Sequence, residues 1–168
     1  MKDVSFGEAM RRKYPEWVVL ISTVDEAGTP DVMPAGWAMV ASHAPPTFAI
    51  GVAYTRYTYE LIQKSKEFVV AFPGPGLEKA IEYTGSCSGR DVPDKVAQSG
   101  LRTLAAKTVA CPLLGGCVVN LECTHAGELE TGDHAVIAGR VEACHIDESV
   151  PARLLNFGAQ FFPALPRK

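Results

Sequence analysis

VMPAGWAMVASHAPPTFAIGVAYTRYTYELI, residues Val32 to Ile62, holds a small-residue turn, a strand and a helix start in close succession. Met33-Pro34-Ala35-Gly36-Trp37 sets small residues beside a tryptophan, and Ser42 to Pro46 is a serine loop ending in a double proline. The apolar, partly β-branched run Thr47 to Ala53 reads as a strand. The polar turn Thr55 to Thr58 then opens a helical pattern over Thr58 to Lys66, with Leu61 and Ile62 inward. Small residues let a backbone come close to a flat surface, and tryptophan offers a π face. A helix start beside a basic residue is a place for an anion. This order of parts suits a ligand with a flat ring at one end and an anion at the other.

Working outward toward the N-terminus, Trp17 to Val24 is apolar and β-branched enough for a strand buried on both faces. Asp25 to Pro30, DEAGTP, supplies turn chemistry, so Asp31 to Val40 is expected to pair antiparallel with that strand. Ser5 to Lys13 suits a short amphipathic helix ended by Tyr14-Pro15. Toward the C-terminus, Glu67 to Phe72 reads as a fourth strand closed by PGPG, and Leu77 to Tyr83 as a short helix. The loop Thr84 to Asp94, TGSCSGRDVPD, precedes a second short helix over Lys95 to Leu104 that ends near Gly100. Gly116 to Ala126 and His134 to Ile146 read as two long strands joined by the polar turn GELETGD. The tail Val150 to Lys168 carries Phe157, Phe161 and Phe162, which need a surface to pack on, a partner subunit being one. Six or so strands in hairpin order, with short helices between, predict a mainly β protein. The expected architecture is a closed or partly open antiparallel barrel with its helices outside.

A chain of 168 residues, 47% hydrophobic and 21% charged, is expected to form a single domain spanning 1–168. A net charge of −3 and no basic stripe argue against nucleic acid as a partner. Apolar runs such as Trp17–Ile21 are far shorter than the ~20 residues a membrane helix needs. The N-terminal residues lack a signal peptide's apolar segment, so a soluble cytoplasmic protein without membrane partners is expected. Five cysteines, an odd number, predict reduced thiols, and Cys111, Cys117 and Cys123 at intervals of six lack tight metal-ligand spacing. No metal site is expected, and buried thiols in strands are the plainer account. Neither a dinucleotide fingerprint nor a phosphate-loop motif nor a hydrolase elbow occurs. Cys87 with a distant histidine makes only a weak nucleophile pair, so in an enzyme a cofactor would supply the reactive atom.

The ordered set STVDEAGTPDVMPAGWAMVAS, PPTFAIGV, TRYTYELI, EFVVAFP, SCSGRDVPDK, LEC and GDHAVIAGRV resembles the flavin reductase-like, FMN-binding split-barrel family, flavoredoxins included. It spans roughly Val18 to Val141. The resemblance implies an antiparallel Greek-key split β-barrel, a homodimer holding FMN, or FAD in some members, at the subunit interface. Asp31, Met33, Pro34, Ala35, Gly36 and Trp37 would line the ring, and Ser42 would lie toward the ribityl chain. Thr55, Arg56 and Thr58 would hold the phosphate with Lys95 reaching the same oxygens. Phe72, Pro73 and the run Ser86 to Gly89, with Ser88 and Gly89 foremost, would add wall. His134 would sit near the ring as the catalytic residue, where a nicotinamide enters.

Each of these has an alternative local role. Thr58 caps a helix, Arg56 and Lys95 are solvated charges, Trp37 is core, and Ser42 and His134 only shape turns. At two positions the chain departs from the pattern: Asp31 stands where many relatives carry asparagine, and Thr55 where a basic residue is common. The implied activity is an oxidoreductase passing electrons from NAD(P)H through FMN to free flavin, a metal or a partner protein. Two rivals remain open at this point: a carrier or sensor that holds FMN or another flat ligand without turnover, and an interaction domain with a vestigial pocket.

Overall fold

The computed structural model describes residues 1–158 and 160–164. After helix α1 (Phe6–Met10), capped by the Ser5 hydroxyl, the chain enters β1 (Glu16–Trp17) and β2 (Val19–Val24). In β2 successive side chains point to opposite faces. Val19 and Ile21 join a core with Phe48, Ile50, Ile62, Phe68 and Ile137. Leu20 joins a second core with Val32, Ile81, Leu101, Leu114 and Leu154. The expected burial of both faces thus arises because β2 is the wall between two cores.

Asp25 Oδ1 accepts the Ala27 and Thr29 N–H groups at 2.9 and 2.7 Å, folding the tight turn into β3 (Pro30–Ala35). The expected single strand Asp31 to Val40 is instead two, because the chain leaves one sheet edge at Gly36-Trp37 and joins the other as β4 (Ala38–His43). β5 (Pro46–Ala53), α2 (Tyr57–Ser65) and β6 (Glu67–Pro73) follow close to the expected bounds. Then come α3 (Glu78–Ser86), α4 (Lys95–Gln98), and a small pair formed by β7 (Thr103–Leu104) and β8 (Leu113–Leu114). The helix expected to end near Gly100 does so: Gly100, at φ +77°, turns the backbone away, and Thr103 and Leu104 beyond it pair with Leu114 and Leu113.

β9 (Cys117–Thr131) and β10 (His134–Ile146) form the long hairpin, His134 opposite Thr131, with only Gly132-Asp133 between. The expected turn GELETGD is mostly strand. Its polarity reflects a ribbon that projects beyond the core, where Glu128 to Glu130 are exposed. β11 (Arg153–Asn156) and β12 (Phe161–Ala164) make a hairpin paired with β1. Phe161 packs on the second core, and Phe157 stands edge-on to Phe162 at 5.2 Å.

The main sheet runs β3-β2-β6-β9-β10-β5-β4, antiparallel throughout, with the β9–β10 hairpin returning between the consecutive strands β5 and β6. Its two edge strands are joined by Gly36-Trp37, and the Gly51 N–H donates to the Trp37 carbonyl at 2.8 Å. The sheet thus curls into a split antiparallel barrel around the first core. No helix among the described residues is long and apolar enough to cross a membrane.

Cys117 and Cys123 are buried in β9, whereas Cys111 is buried in the loop before β8 rather than in a strand. Burial pushes all three thiols up to about 12. Barrel closure is tight where β10 passes Phe68: a Cβ at Gly139 would stand 2.4 Å from Phe68 Cζ and 3.0 Å from Cys123 Cβ. Gly139→Ala is therefore expected to destabilise the protein by about 1–3 kcal/mol, measured by denaturant unfolding.

Candidate functional site

The barrel is split where β3 crosses to β4, and there a cleft of about 650 Å³ opens. Met33 to Trp37 form one wall, with Gly51 to Ala53 of β5 behind it, while Asp31 lies buried against Lys95 and Thr58. Thr55 to Thr58 at the start of α2, the loop after α3 and Lys95 at the start of α4 form the other, with His134 at the rim. Ser88 and Gly89 lie in that loop.

Three residues expected at the site lie elsewhere. Ser42 is on β4, where its Oγ accepts the Ala44 N–H at 3.2 Å. Phe72 packs edge-on against Trp17 and Phe48 at 5.7 and 5.8 Å, and Pro73 is buried at the end of β6. Adjacent in sequence to nothing in the cleft, they follow strands that run away from it. Conversely, Gly51, Tyr57, Thr84 and Gly85 line the cleft without having been singled out. Gly51 left a signal, a lone glycine inside an apolar strand, which marks close approach of another chain. A Cβ there would stand 3.1 Å from Trp37 Cβ.

Trp37 is not core: it is 55% exposed, lies against Gly51, and has its ring centroid 4.6 Å from that of His134. His134 Nδ1 is 2.7 Å from Asp133 Oδ1. Since a carboxylate can only accept, Nδ1 carries the proton, and the bond to His134 holds the Asp133 carboxyl below its usual range. The imidazole is therefore held in one orientation at the rim by a strand-end neighbour.

At the opposite end, Arg56 is the N-cap residue of α2, exposed, with no acidic partner among the described residues. Thr58 lies inside the first turn rather than capping it. Its buried hydroxyl donates to Asp31 Oδ2 at 3.4 Å. The first N–H groups of the helix have no intrahelical acceptors and leave a positive end there. Arg90 ties the neighbouring loop down: it reaches Glu60 Oε2 at 2.7 Å and the Thr55 carbonyl at 3.2 Å, and lies over the Tyr57 ring at 5.1 Å. The Arg90 bond, seconded by Lys64, holds the Glu60 carboxyl below its usual range. Burial, then the charges of Asp25, Glu60 and Asp31, raise the Tyr57 phenol.

Lys95 does not project to the rim as a surface cation. It is buried, its Nζ 3.0 Å from Asp31 Oδ1. Asp31 Oδ1 has no donor aligned on it and is closed off from solvent, so the contact with Lys95 is a buried ion pair.

A family model described as flavin reductase like domain matches residues 10–164. An uncharacterised protein of Archaeoglobus fulgidus is 34% identical over 123 residues, covering 73% of this chain and 67% of its own length. The FMN-binding protein of Thermus thermophilus solved with bound p-hydroxybenzaldehyde superposes with a TM-score of 0.85 at 24% identity, over 100% of this chain and 95% of that one. The C-1027 NADH:FAD oxidoreductase of Streptomyces globisporus superposes with a TM-score of 0.83 at 22% identity, over 99% and 98%. At these identities the structural likeness is one of fold, the split barrel.

Proposed function

Because the chain belongs to the flavin reductase-like domain family, we propose that it is an FMN-dependent oxidoreductase, taking electrons from NADH or NADPH and passing them to free flavin, a metal or a partner protein. The observation that carries this is one cleft joining a half-exposed tryptophan to a helix start whose arginine has no acidic partner among the described residues. A flat aromatic ligand with a phosphate tail matches both ends. The volume lies in the range of ordinary cofactor pockets, about 300–1,000 Å³.

Trp37 and the small residues Ala35, Gly36 and Gly51 would hold the ring. Arg56, Thr55 and the first N–H groups of α2 would hold the phosphate. Bound FMN would supply the chemistry, accepting a hydride and releasing electrons to the acceptor. His134, fixed through Nδ1 by Asp133, keeps Nε2 as the nitrogen free to bind or exchange a proton at the rim. The loop after α3, residues 87–94, anchored by Arg90 on Thr55 and Glu60, limits water on the other side.

A homodimer completes this arrangement. Trp37, and Met39 and Val40 on the edge strand β4 that follows it, expose apolar side chains next to the cleft, more than half of each in solvent. A second copy laid on this edge would cover them and wall the cleft. Five free thiols suit a reducing compartment, in keeping with a cytoplasmic enzyme.

The test is the visible spectrum of the purified protein with added FMN, followed by NADH and then NADPH without oxygen. A protein that turns yellow and bleaches with a nicotinamide donor is the expected result. A yellow protein that neither donor bleaches is a carrier instead, and one that takes up no FMN overturns the proposal.

A further inference from the structure

The inner wall of the cleft holds two opposite charges almost out of reach of water: Asp31 is 3% exposed and Lys95 4%. Lys95 Nζ stands 3.0 Å from Asp31 Oδ1, and the Thr58 hydroxyl donates to Oδ2 at 3.4 Å. Three pieces of chain therefore meet on one carboxylate: β3, which carries it, the first turn of α2, and the start of α4. A fourth, the loop after α3, closes over it through Gly89. A Cβ there would fall 2.6 Å from Asp31 Oδ1 and 3.2 Å from Tyr57 Cδ1, so only glycine lets the loop lie so close.

A buried lysine without a partner is a strong local charge, because little solvent screens it. Paired at 3.0 Å it becomes half of a dipole, whose field falls off much faster than that of a single charge. Reduced flavin carries more negative charge than oxidised flavin near neutral pH, so an unpaired cation in the wall favours the reduced form and an unpaired anion opposes it.

We propose that Asp31 is a positioning residue that holds Lys95 in the cleft wall with its charge cancelled, and thereby keeps the reduction potential of bound flavin below the value Lys95 alone would give it. This rests on the flavin-binding function proposed above. It also divides the two cations of the cleft: Lys95 is committed to Asp31, while Arg56 is left for the phosphate.

The experiment is a double-mutant cycle on the FMN-loaded protein, with midpoint potentials read by spectroelectrochemistry. Asp31→Asn, which keeps the side-chain shape, is expected to shift the potential upward. Lys95→Met is expected to shift it downward, and the double variant to return close to the parent. Gly89→Ala, which crowds the carboxylate off Lys95, is expected to move the potential in the same direction as Asp31→Asn, by less. Shifts of the same sign in the two single variants, or none in either, overturn the proposal. The flavin-free proteins supply a second reading through thermal unfolding: each single variant should lose more Tm than the double, whereas additive losses overturn the pairing itself. Failure of all forms to take up FMN overturns the flavin function, and the claim about potential with it, and is told apart from a bound flavin whose potential does not move.

Discussion

Glu122→Ala is expected to lower the unfolding free energy by about 3–5 kcal/mol, the range for removing one partner of a buried charged network. Glu122 lies on β9, fully buried. Its carboxylate accepts the Lys107 N–H at 2.8 Å, the Val109 N–H at 3.1 Å, and both the N–H and the hydroxyl of Thr108. His145 Nε2, from β10, completes the set at 2.6 Å. One side chain thus closes the backbone of a whole loop, and an alanine would leave three backbone N–H groups and an imidazole without their acceptor. Denaturant unfolding of the variant measures the loss, and a change below about 1 kcal/mol, the worth of a single ordinary hydrogen bond, would show that the loop does not depend on this clamp.

The same group has a pH signature. Burial alone would raise its pKa, but the bonds from Thr108, Lys107 and His145 outweigh burial and bring it from 4.5 down to about 2. A carboxyl whose folded value is depressed stabilises the fold above its unfolded value and loses that contribution as the pH falls through the folded one. The contribution, about 3 kcal/mol at 1.36 per pKa unit, should be complete above roughly pH 5 and gone near pH 2. Glu122→Gln, unable to ionise, should flatten this acid limb of the stability profile. A parent-like slope in the variant would assign the limb to other carboxylates.

Arg56→Ala is expected to weaken FMN binding about tenfold to a hundredfold while leaving riboflavin binding nearly unchanged. The difference isolates the phosphate, since the two ligands share everything else. A charge-assisted hydrogen bond contributes about 1.5–3 kcal/mol, and each 1.4 kcal/mol is a factor of ten. Arg56 is exposed, which places the expectation toward the lower end. The helix itself should be unharmed, because no side-chain cap bond from Arg56 supports it. Quenching of flavin fluorescence measures both affinities, and an equal loss for the two ligands would place Arg56 away from the phosphate.

Much of the fold was legible in order along the chain because its determinants are local. The apolar, β-branched run Val19 to Val24, the Asp25–Thr29 turn and the Leu61-Ile62 face of α2 each follow from neighbours within a few positions. The same holds for the parts of the cleft that are contiguous in sequence, Met33 to Trp37 and Thr55 to Thr58, which the family pattern marked and the fold places on facing walls. Where polarity stood in for position, the sequence misled: Glu128 to Glu130 look like a turn, yet extend a strand pair beyond the core.

What the chain alone determined, then, is its kind: antiparallel strands with short helices, and a family whose members share this order of motifs. Which charges meet was decided only in three dimensions. Lys95 finds Asp31 across 64 positions of chain, and Glu122 gathers Lys107 to Val109 from one side and His145 from another. Ser42, Phe72 and Pro73, for all their place in the family order, lie away from the cleft because the strands that carry them turn outward or into the core. The physical reason is that local sequence fixes backbone preference and face. The partner of a buried charge depends on which segments barrel closure brings together, and no stretch of sequence specifies that by itself.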